Sequence, residues 1–346
     1  MKRWSFILTL GFIFLVGMSA RLAFVQLPGN YDQASYRIVT SIMEHQGNIY
    51  AETSRYNYSP LWAFALQAMA NLANHYGVAL DIVVRCMLSL IDCINALLIG
   101  AIFRQRLLTF AYLLNPVAIL LVGYHGQFET FAAFPLLLGV LLITKTPDAR
   151  WIFWLLATCA LLIKHIFIFH VWVAFVTVAR TRRQALLLMC LSLGVWLASF
   201  IPYLPEGLDG IIQNVFLYRG IAGVYGVSSL LPPFIGLILF LVIMGTLPFW
   251  LPTNSILFER MTICGVLLLT LIPGIGIQYF IIPLFFGTIS PGYLWYTCWC
   301  TLLILASPNN IHILNLVPIW NYAWIGILGW IIYLLLLPMK RVQTRL

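Results

Sequence analysis

The residues that could carry chemistry lie in short polar stretches between long apolar runs. Asp32 follows the first apolar run, in a loop that also contains Tyr31, Tyr36, Tyr50, Tyr56 and Tyr58. A carboxylate at this position can act as a general base where lipid headgroups meet water, and tyrosines are typical of a sugar site or of chain held at a membrane interface. The composition of the loop fits a site that includes Asp32 and Tyr58, and it fits a solvated loop with an interfacial tyrosine belt equally well.

A second polar group occupies the segment 124–129, Tyr-His-Gly-Gln-Phe-Glu. His125, Gln127 and Glu129 stand here between two apolar runs. Polar side chains beside lipid are costly unless they bond to one another or to a ligand. The segment therefore predicts either a binding site or a set of helix caps.

Candidate anion-binding cations occur at two places. Lys164 and His165 lie between two apolar runs, and Arg219 is the only cation of the segment 204–228. An arginine can clamp phosphate bidentately, and a Lys-His pair suits an anionic headgroup. The alternatives are a snorkelling Lys164 and an Arg219 that pairs with Glu206 or Asp209.

Two further features bear on the kind of site. Gln278 and Tyr279 follow a glycine-rich break, but no dinucleotide-binding or phosphate-loop fingerprint accompanies them. The seven cysteines lie inside apolar runs without ligand-like spacing to histidine, so we expect them to pack and not to bind metal.

The elements that position these residues must be membrane helices. Of the 346 residues, 62% are hydrophobic and 8% are charged, with a mean hydropathy of +0.97, whereas a soluble domain carries roughly 25% charged residues. A span needs about 20 apolar residues. We therefore predict an all-α polytopic transmembrane bundle of about 12 spans, in a single integral membrane domain covering residues 1–346. The run from Phe6 to Val25 is expected to remain as the first span.

The basic residues predict the orientation of the bundle. Most of the 19 Lys and Arg fall in six clusters: Lys2-Arg3, Arg104/Arg106, Lys145/Arg150, Arg180/Arg182/Arg183, Arg260 and Lys340/Arg341/Arg345. By the positive-inside rule, these clusters and both termini are cytoplasmic. The predicted spans are then 5–27, 81–103, 107–123, 129–144, 151–164, 166–180, 184–203, 229–250, 261–277, 279–290, 292–306 and 317–338. The long loop 28–80 and the loop 204–228 fall outside.

The segment 59–75 decides this topology. One polar helical face is formed by Gln67, Asn71, Asn74 and His75, which favours an amphipathic helix in the outer interface over a span. Seven of the ten carboxylates and five of the six histidines then lie outside or at the outer edge. This asymmetry indicates a site that faces the non-cytoplasmic side.

These features, in this order, resemble the GT-C superfamily of polytopic glycosyltransferases, which use polyprenyl-phosphate-linked sugars. Asp32 matches the acidic residue of that superfamily's first outer loop. The segment from Asn115-Pro116 to Glu129 is similar to the NP…HGHFQ turn of the eukaryotic glucosyltransferases that extend lipid-linked N-glycan precursors, and Lys164-His165 resembles their Phe-Lys-His segment. The segments 218–226 and 276–279 look like stretches of bacterial mannosyltransferase-like members. The resemblance covers roughly residues 1–290, as short motifs.

The resemblance implies transfer of a hexose, mannose or glucose, from a polyprenyl phosphate to a hydroxyl of a glycan, lipid or protein, with inversion. Asp32 would be the general base. The donor would be bound by Lys164, His165, Arg219, His125, Gln127, Glu129, Tyr58, Gln278 and Tyr279. No cofactor is implied, and the first loop lacks the Asp-x-Asp of metal-dependent members. The expected location is a bacterial inner membrane. Membrane lipid is an expected partner, and nucleic acid is not.

Two other functional classes fit the spans. A transporter or lipid flippase would place polar groups near the bilayer midplane, where the candidates are Asp92 and His170; we expect Asp92 to bond within the bundle, to Asn95 or Arg85. No internal repeat supports that class. A non-catalytic subunit of an envelope glycan assembly complex explains the spans but not the outer His, Asp and Arg residues.

Overall fold

A computed structural model of the chain describes residues 2–218, 231–251, 256–272, 276–290, 292–306, 327–328 and 330. These residues form helices, turns and loops, and the described ranges contain no strand. The all-helical class predicted from the sequence is thereby confirmed. The chain divides into two compact units, unit 1 with residues 1–114, 118–167 and 188–218, and unit 2 with residues 115–117, 168–187 and 219–346.

The helices of the described residues are, in chain order, α1 (Lys2–Leu22), α2 (Tyr31–Glu44), α3 (Ile49–Glu52), α4 (Pro60–Tyr76), α5 (Leu80–Phe103), α6 (Arg106–Leu113), α7 (Pro116–Ala118), α8 (Glu129–Lys145), α9 (Arg150–Ile163), α10 (Ile168–Val178), α11 (Arg182–Ala198), α12 (Leu208–Gly210), α13 (Pro233–Trp250), α14 (Leu257–Leu271), α15 (Ile282–Gly287) and α16 (Tyr293–Ala306). Single turns of other helix types occur at Ile119–Tyr124, His165–Phe167, Ile201–Tyr203, Ile211–Phe216 and Ile277–Ile281.

Few of these helices are long enough to cross a bilayer unbroken. In the described ranges, Leu80–Phe103 and Arg182–Tyr203 are long and apolar enough to cross a membrane. Arg106–Leu113 and Pro116–Tyr124 give a third candidate if they count as one span bent by 46°. The bend falls at Asn115-Pro116, because proline lacks an amide hydrogen and disfavours a helical conformation in the residue before it.

The long loop 28–80 is itself largely helical and packs within unit 1. In α4, Trp62, Leu66 and Met69 are buried, while Asn71 and Asn74 are exposed. A helix with one buried side is therefore present in the segment 59–75, although Leu61, Phe64 and Leu72 are exposed beside the amides. Pro60 stands in its first turn, and Gly77 ends it in a left-handed conformation with φ 64°, which glycine adopts at no steric cost.

A buried ion pair holds the helices of unit 1 together. Arg21 donates to Asp92 Oδ2 from Nε (2.9 Å) and Nη2 (2.7 Å), and both side chains are 0% exposed. Tyr112 Oη and Thr130 Oγ1 each donate to Asp92 Oδ1 at 2.7 Å. Asp92 thus bonds within the bundle, but the partners expected from spacing were wrong: Asn95 bonds to Thr130, and Arg85 bonds elsewhere.

Unit 2 has its own polar contacts between helices. Asn115 Nδ2 donates to Tyr293 Oη and Thr297 Oγ1, both at 2.8 Å. Arg260 Nη1 donates to Thr177 Oγ1 at 2.7 Å. These bonds satisfy buried polar groups inside an otherwise apolar set of helices, as burial requires.

Candidate functional site

Asp32 occupies the first turn of α2, where its conformation is set by a helix cap. The Asn30 side chain accepts from the amides of Asp32 (3.0 Å) and Gln33 (3.1 Å), and Gln33 Oε1 accepts from the Asn30 amide at 3.1 Å. This reciprocal capping box also places a carboxylate at a helix N-terminus, where the dipole stabilises negative charge.

The Asp32 carboxylate is half-buried and is held from one side. Its Oδ2 accepts from Gln127 Nε2 at 2.5 Å. Its Oδ1 has no hydrogen-bond partner among the described residues, so this atom is available to accept a proton. Asp32 and Gln127, nominated separately from the sequence, are therefore in direct contact.

The turn 124–128 is bonded to the start of α2. Asn30 Nδ2 donates to the His125 carbonyl at 3.0 Å and lies 3.0 Å from His125 Nδ1. Tyr36 Oη donates to the Gly126 carbonyl at 3.3 Å. Gly126 has φ +64°, and a Cβ there would lie 3.0 Å from Gln33 Nε2, so this turn requires glycine. These bonds fix the turn that carries Gln127.

Glu129 and Lys164 form a buried ion pair beside this turn. Lys164 Nζ lies 2.5 Å from Glu129 Oε1, and the residues are 1% and 0% exposed. The ammonium also lies 4.0 Å from the Phe128 ring centroid and 5.1 Å from that of Tyr58. The Asp32 carboxylate interacts electrostatically with both members of the pair. The acidic and cationic candidates of unit 1 thus form one cluster.

Aromatic rings form one wall of the cluster. Phe128 stacks on Trp62 with centroids 4.1 Å apart and planes 3° apart, and Tyr58 meets Phe128 edge-on at 4.7 Å. Tyr58 is half-buried. Such rings suit the apolar faces of a sugar.

The interpretation of the first loop as a solvated tyrosine belt is wrong for most of its tyrosines. Tyr36, Tyr50 and Tyr56 are only 4%, 2% and 2% exposed, whereas Tyr31 is 72% exposed. Tyr50 Oη donates to the Tyr58 carbonyl at 2.7 Å, and Tyr56 Oη donates to the Ser59 carbonyl at 2.6 Å. The buried tyrosines therefore hold the loop that presents Tyr58.

His165 follows Lys164 in the turn between the two predicted spans 151–164 and 166–180. Burial, followed by the positive charge of Lys164, lowers the pKa of His165 to about 4, so the ring is neutral at pH 7. Its Nδ1 is buried with no hydrogen-bond partner among the described residues. His165 can exchange hydrogen bonds with a ligand, but it does not supply the positive charge expected from the sequence.

The other three candidates belong to unit 2 or fall outside the described residues. Gln278 and Tyr279 belong to unit 2, in the turn Ile277–Ile281, and both are half-buried. Arg219 lies outside the described residues. The site described here therefore consists of Asp32, Tyr58, His125, Gln127, Glu129, Lys164 and His165, all in unit 1.

Sequence reasoning missed several residues around Asp32. The Arg55 guanidinium carbon lies 3.7 Å from the Tyr31 ring centroid, and Nη2 donates to the Tyr31 carbonyl at 2.9 Å. Within the described ranges, no carboxylate pairs with Arg55. No local signal pointed to Arg55. By contrast, the spacing of Asn30 and Gln33 is that of a capping box and could have been recognised.

The described part of the segment 204–228 also reaches this neighbourhood. Burial, and then the negative charge of Asp32, raise the pKa of the Tyr218 hydroxyl, which hydrogen-bonds with Asn57. Asn48 Nδ2 donates to the Tyr203 carbonyl at 2.9 Å. The described part of the loop 204–228 therefore packs on the first loop, close to Asp32.

Nothing in the described part of the chain has the arrangement of a metal site. No group of three His, Cys, Asp or Glu is close enough there to hold a metal ion. All seven cysteines are free thiols.

The chain was also compared with known proteins. No protein-family model matches it, and no curated protein or solved structure matches it at a significant level. The assignment of a function therefore depends on the geometry of the site and on the motifs that it contains.

Proposed function

We propose that this chain is an integral membrane glycosyltransferase of the GT-C type, which transfers a hexose, mannose or glucose, from a polyprenyl phosphate to an acceptor hydroxyl. The observation that carries the proposal is the contact of Asp32 with Gln127 beside the Glu129–Lys164 pair. Three chain segments far apart in sequence thereby bring a proton acceptor, hydrogen-bond donors, a cation and aromatic rings into one cluster. That combination suits a sugar joined to a phosphate.

In the proposed reaction, Asp32 Oδ1 removes the proton of the acceptor hydroxyl while its oxygen attacks the anomeric carbon. The bond from that carbon to the phosphate oxygen breaks on the opposite side, so the configuration inverts. Gln127 keeps the carboxylate in place through Oδ2. Phosphate leaves without a strong acid, because cations and hydrogen-bond donors can offset the charge that develops on it.

The positive charge has two sources among the described residues. Lys164 is offset in part by Glu129, whereas Arg55, stacked on Tyr31, has no carboxylate partner in the described ranges. We assign the leaving phosphate to these cations, with His125 and His165 as neutral hydrogen-bonding groups. Arg219, Gln278 and Tyr279 stay as sequence-based candidates for the rest of the donor.

The proposal includes the membrane arrangement: about 12 spans, cytoplasmic termini and a site on the non-cytoplasmic face of a bacterial inner membrane. This membrane arrangement is supported by the charges at the ends of α8 and α9. Lys145 ends α8 and Arg150 begins α9, whereas Glu129 and Lys164 lie at the opposite ends. The exposed basic turn and the buried ion pair are thus separated by the length of the helices, as the positive-inside rule requires.

The test is a transfer assay with purified protein in lipid nanodiscs and a panel of radiolabelled polyprenyl-phosphate hexoses. Asp32→Asn should bind the donor normally and reduce transfer by about 100-fold or more, because the general base is lost. The matched control Asp148→Asn, in the basic turn between α8 and α9, should transfer at the wild-type rate. Near-normal transfer by Asp32→Asn, or no transfer by the wild type with any donor, would refute the proposal.

A further inference from the structure

Arg85 is a buried cation whose partners are almost all backbone carbonyls. It stands near the start of α5 and is 0% exposed. No carboxylate lies within salt-bridge distance of it among the described residues, although Asp81 interacts with it electrostatically. Its guanidinium donates to the carbonyls of Phe24 (3.3 Å), Val25 (3.0 Å), Leu27 (2.6 Å) and Pro28 (3.1 Å), and to Gln33 Oε1 (3.0 Å).

These carbonyls belong to the segment just after α1, which ends at Leu22. They form a turn beyond the helix, in which the Phe24 carbonyl also accepts from the Leu27 amide at 3.1 Å, and buried carbonyls of such a turn need further donors. One planar guanidinium with five donors can satisfy several of them at once, and their partial charge offsets its own. Arg85 therefore fixes the path of the chain from the end of α1 to Pro28.

The same guanidinium is connected to Asp32 by a short series of hydrogen bonds. Gln33 Oε1 accepts from Arg85 Nη2 and from the Asn30 amide. Asn30 in turn caps the amide of Asp32 and donates to the His125 carbonyl. Arg85 thus acts at both ends of the segment 24–33 and sets the position of Asp32 against the turn that carries Gln127.

We propose that Arg85 is a positioning residue for Asp32, acting through Gln33 and Asn30. The geometric part of this proposal stands by itself, and its catalytic consequence rests on the proposed function. The misplacement of a reacting group by a fraction of an ångström lowers the rate of a folded enzyme. Loss of the link should therefore change turnover more than donor binding.

Gln33 offers variants that cut the link without removing the buried cation. Gln33→Met removes the acceptor shared by Arg85 and Asn30 but leaves the four carbonyl bonds of Arg85 in place. Gln33→Glu keeps an acceptor oxygen at the same position. Gln67→Met is the matched control, because Gln67 on α4 donates only to Asn71 in the described structure.

The first measurement reports the accessibility of residue 32 and does not depend on enzymatic activity. Asp32→Cys is combined with each variant, and the rate at which a water-soluble thiol reagent modifies Cys at position 32 is followed by peptide mass spectrometry. Gln33→Met should raise the rate about fivefold or more, because the segment loosens, whereas Gln33→Glu and Gln67→Met should stay within about twofold. Equal rates in all backgrounds would overturn the proposal.

The second measurement determines kcat and the donor KM in proteins that retain Asp32. Gln33→Met should lower kcat about tenfold or more, while the donor KM stays within about twofold of the wild-type value. Gln33→Glu should restore most of the lost kcat. A purely structural role would lower the melting temperature and leave kcat of the folded protein unchanged, which would overturn the catalytic part. A wild type that transfers no sugar would refute the proposed function, while the labelling rates would still decide the position of Asp32.

Discussion

Arg21 and Asp92 provide a quantitative test of how unit 1 is held together. Arg21 makes two hydrogen bonds to Asp92 Oδ2, and Asp92 Oδ1 accepts two hydroxyl protons, from Tyr112 and Thr130. Arg21 Nη1 also donates to the Gly17 and Leu113 carbonyls, both at 2.8 Å. Asp92→Asn keeps the shape of the side chain but removes the charge that balances Arg21.

The expected cost follows from the complete burial of both groups. Removal of one member of a buried ion pair leaves the other charge uncompensated and costs about 3–5 kcal/mol. Asp92→Asn and Arg21→Met should each destabilise the fold by this amount. The double variant contains neither charge. Its loss of unfolding free energy should therefore be well below the sum of the losses in the two single variants, with a coupling energy of at least about 2 kcal/mol.

The assay is equilibrium unfolding in mixed micelles, followed by the fluorescence of the 12 tryptophans. A neutral hydrogen bond between membrane helices contributes about 0.6 kcal/mol on average, so the predicted coupling is easily distinguished from an ordinary polar contact. If the two substitutions add to within about 0.5 kcal/mol, or if Asp92→Asn is as stable as the wild type, the pair does not have the role assigned to it.

Three further predictions concern stability. Glu129→Gln should destabilise the protein by about 3–5 kcal/mol, and addition of Lys164→Met should recover much of the loss in the same unfolding assay. Gly123→Ala should cost about 1–3 kcal/mol, because its Cβ would lie 2.7 Å from the Arg21 carbonyl oxygen, whereas Gly194→Ala meets nothing within 4 Å and should be neutral or stabilising. His165 has a folded-state pKa of about 4, below the ordinary histidine pKa of about 6.5, so the unfolded state binds the proton more readily and stability should fall as pH drops from about 6.5 to about 4. His165→Gln should flatten that part of the stability profile, and an unchanged slope would contradict the assignment.

The class of the fold could be predicted from the sequence because it depends on local properties. High hydrophobicity and few charges predict apolar helices, and the amide spacing in 59–75 predicts a helix there, which the structure contains as α4 with one buried side. Asp32, Gln127 and Lys164 could be nominated from the sequence, because Gln127 and Lys164 stand between apolar runs and Asp32 follows the first one. None of these conclusions required knowledge of which segments pack together.

The pairings between these residues depended on tertiary structure alone. Asp32 and Gln127 are 95 residues apart, and Arg21 and Asp92 are 71 apart, so no local spacing could join them. The spacing of Asp92 from Asn95 and Arg85 on its own helix suggested the wrong partners, because a buried carboxylate takes its donors from whichever neighbouring helices present them. Burial also made His165 neutral and enclosed three tyrosines of the first loop. Composition and periodicity indicated which polar residues would need partners among apolar helices, and helix packing decided which of them meet.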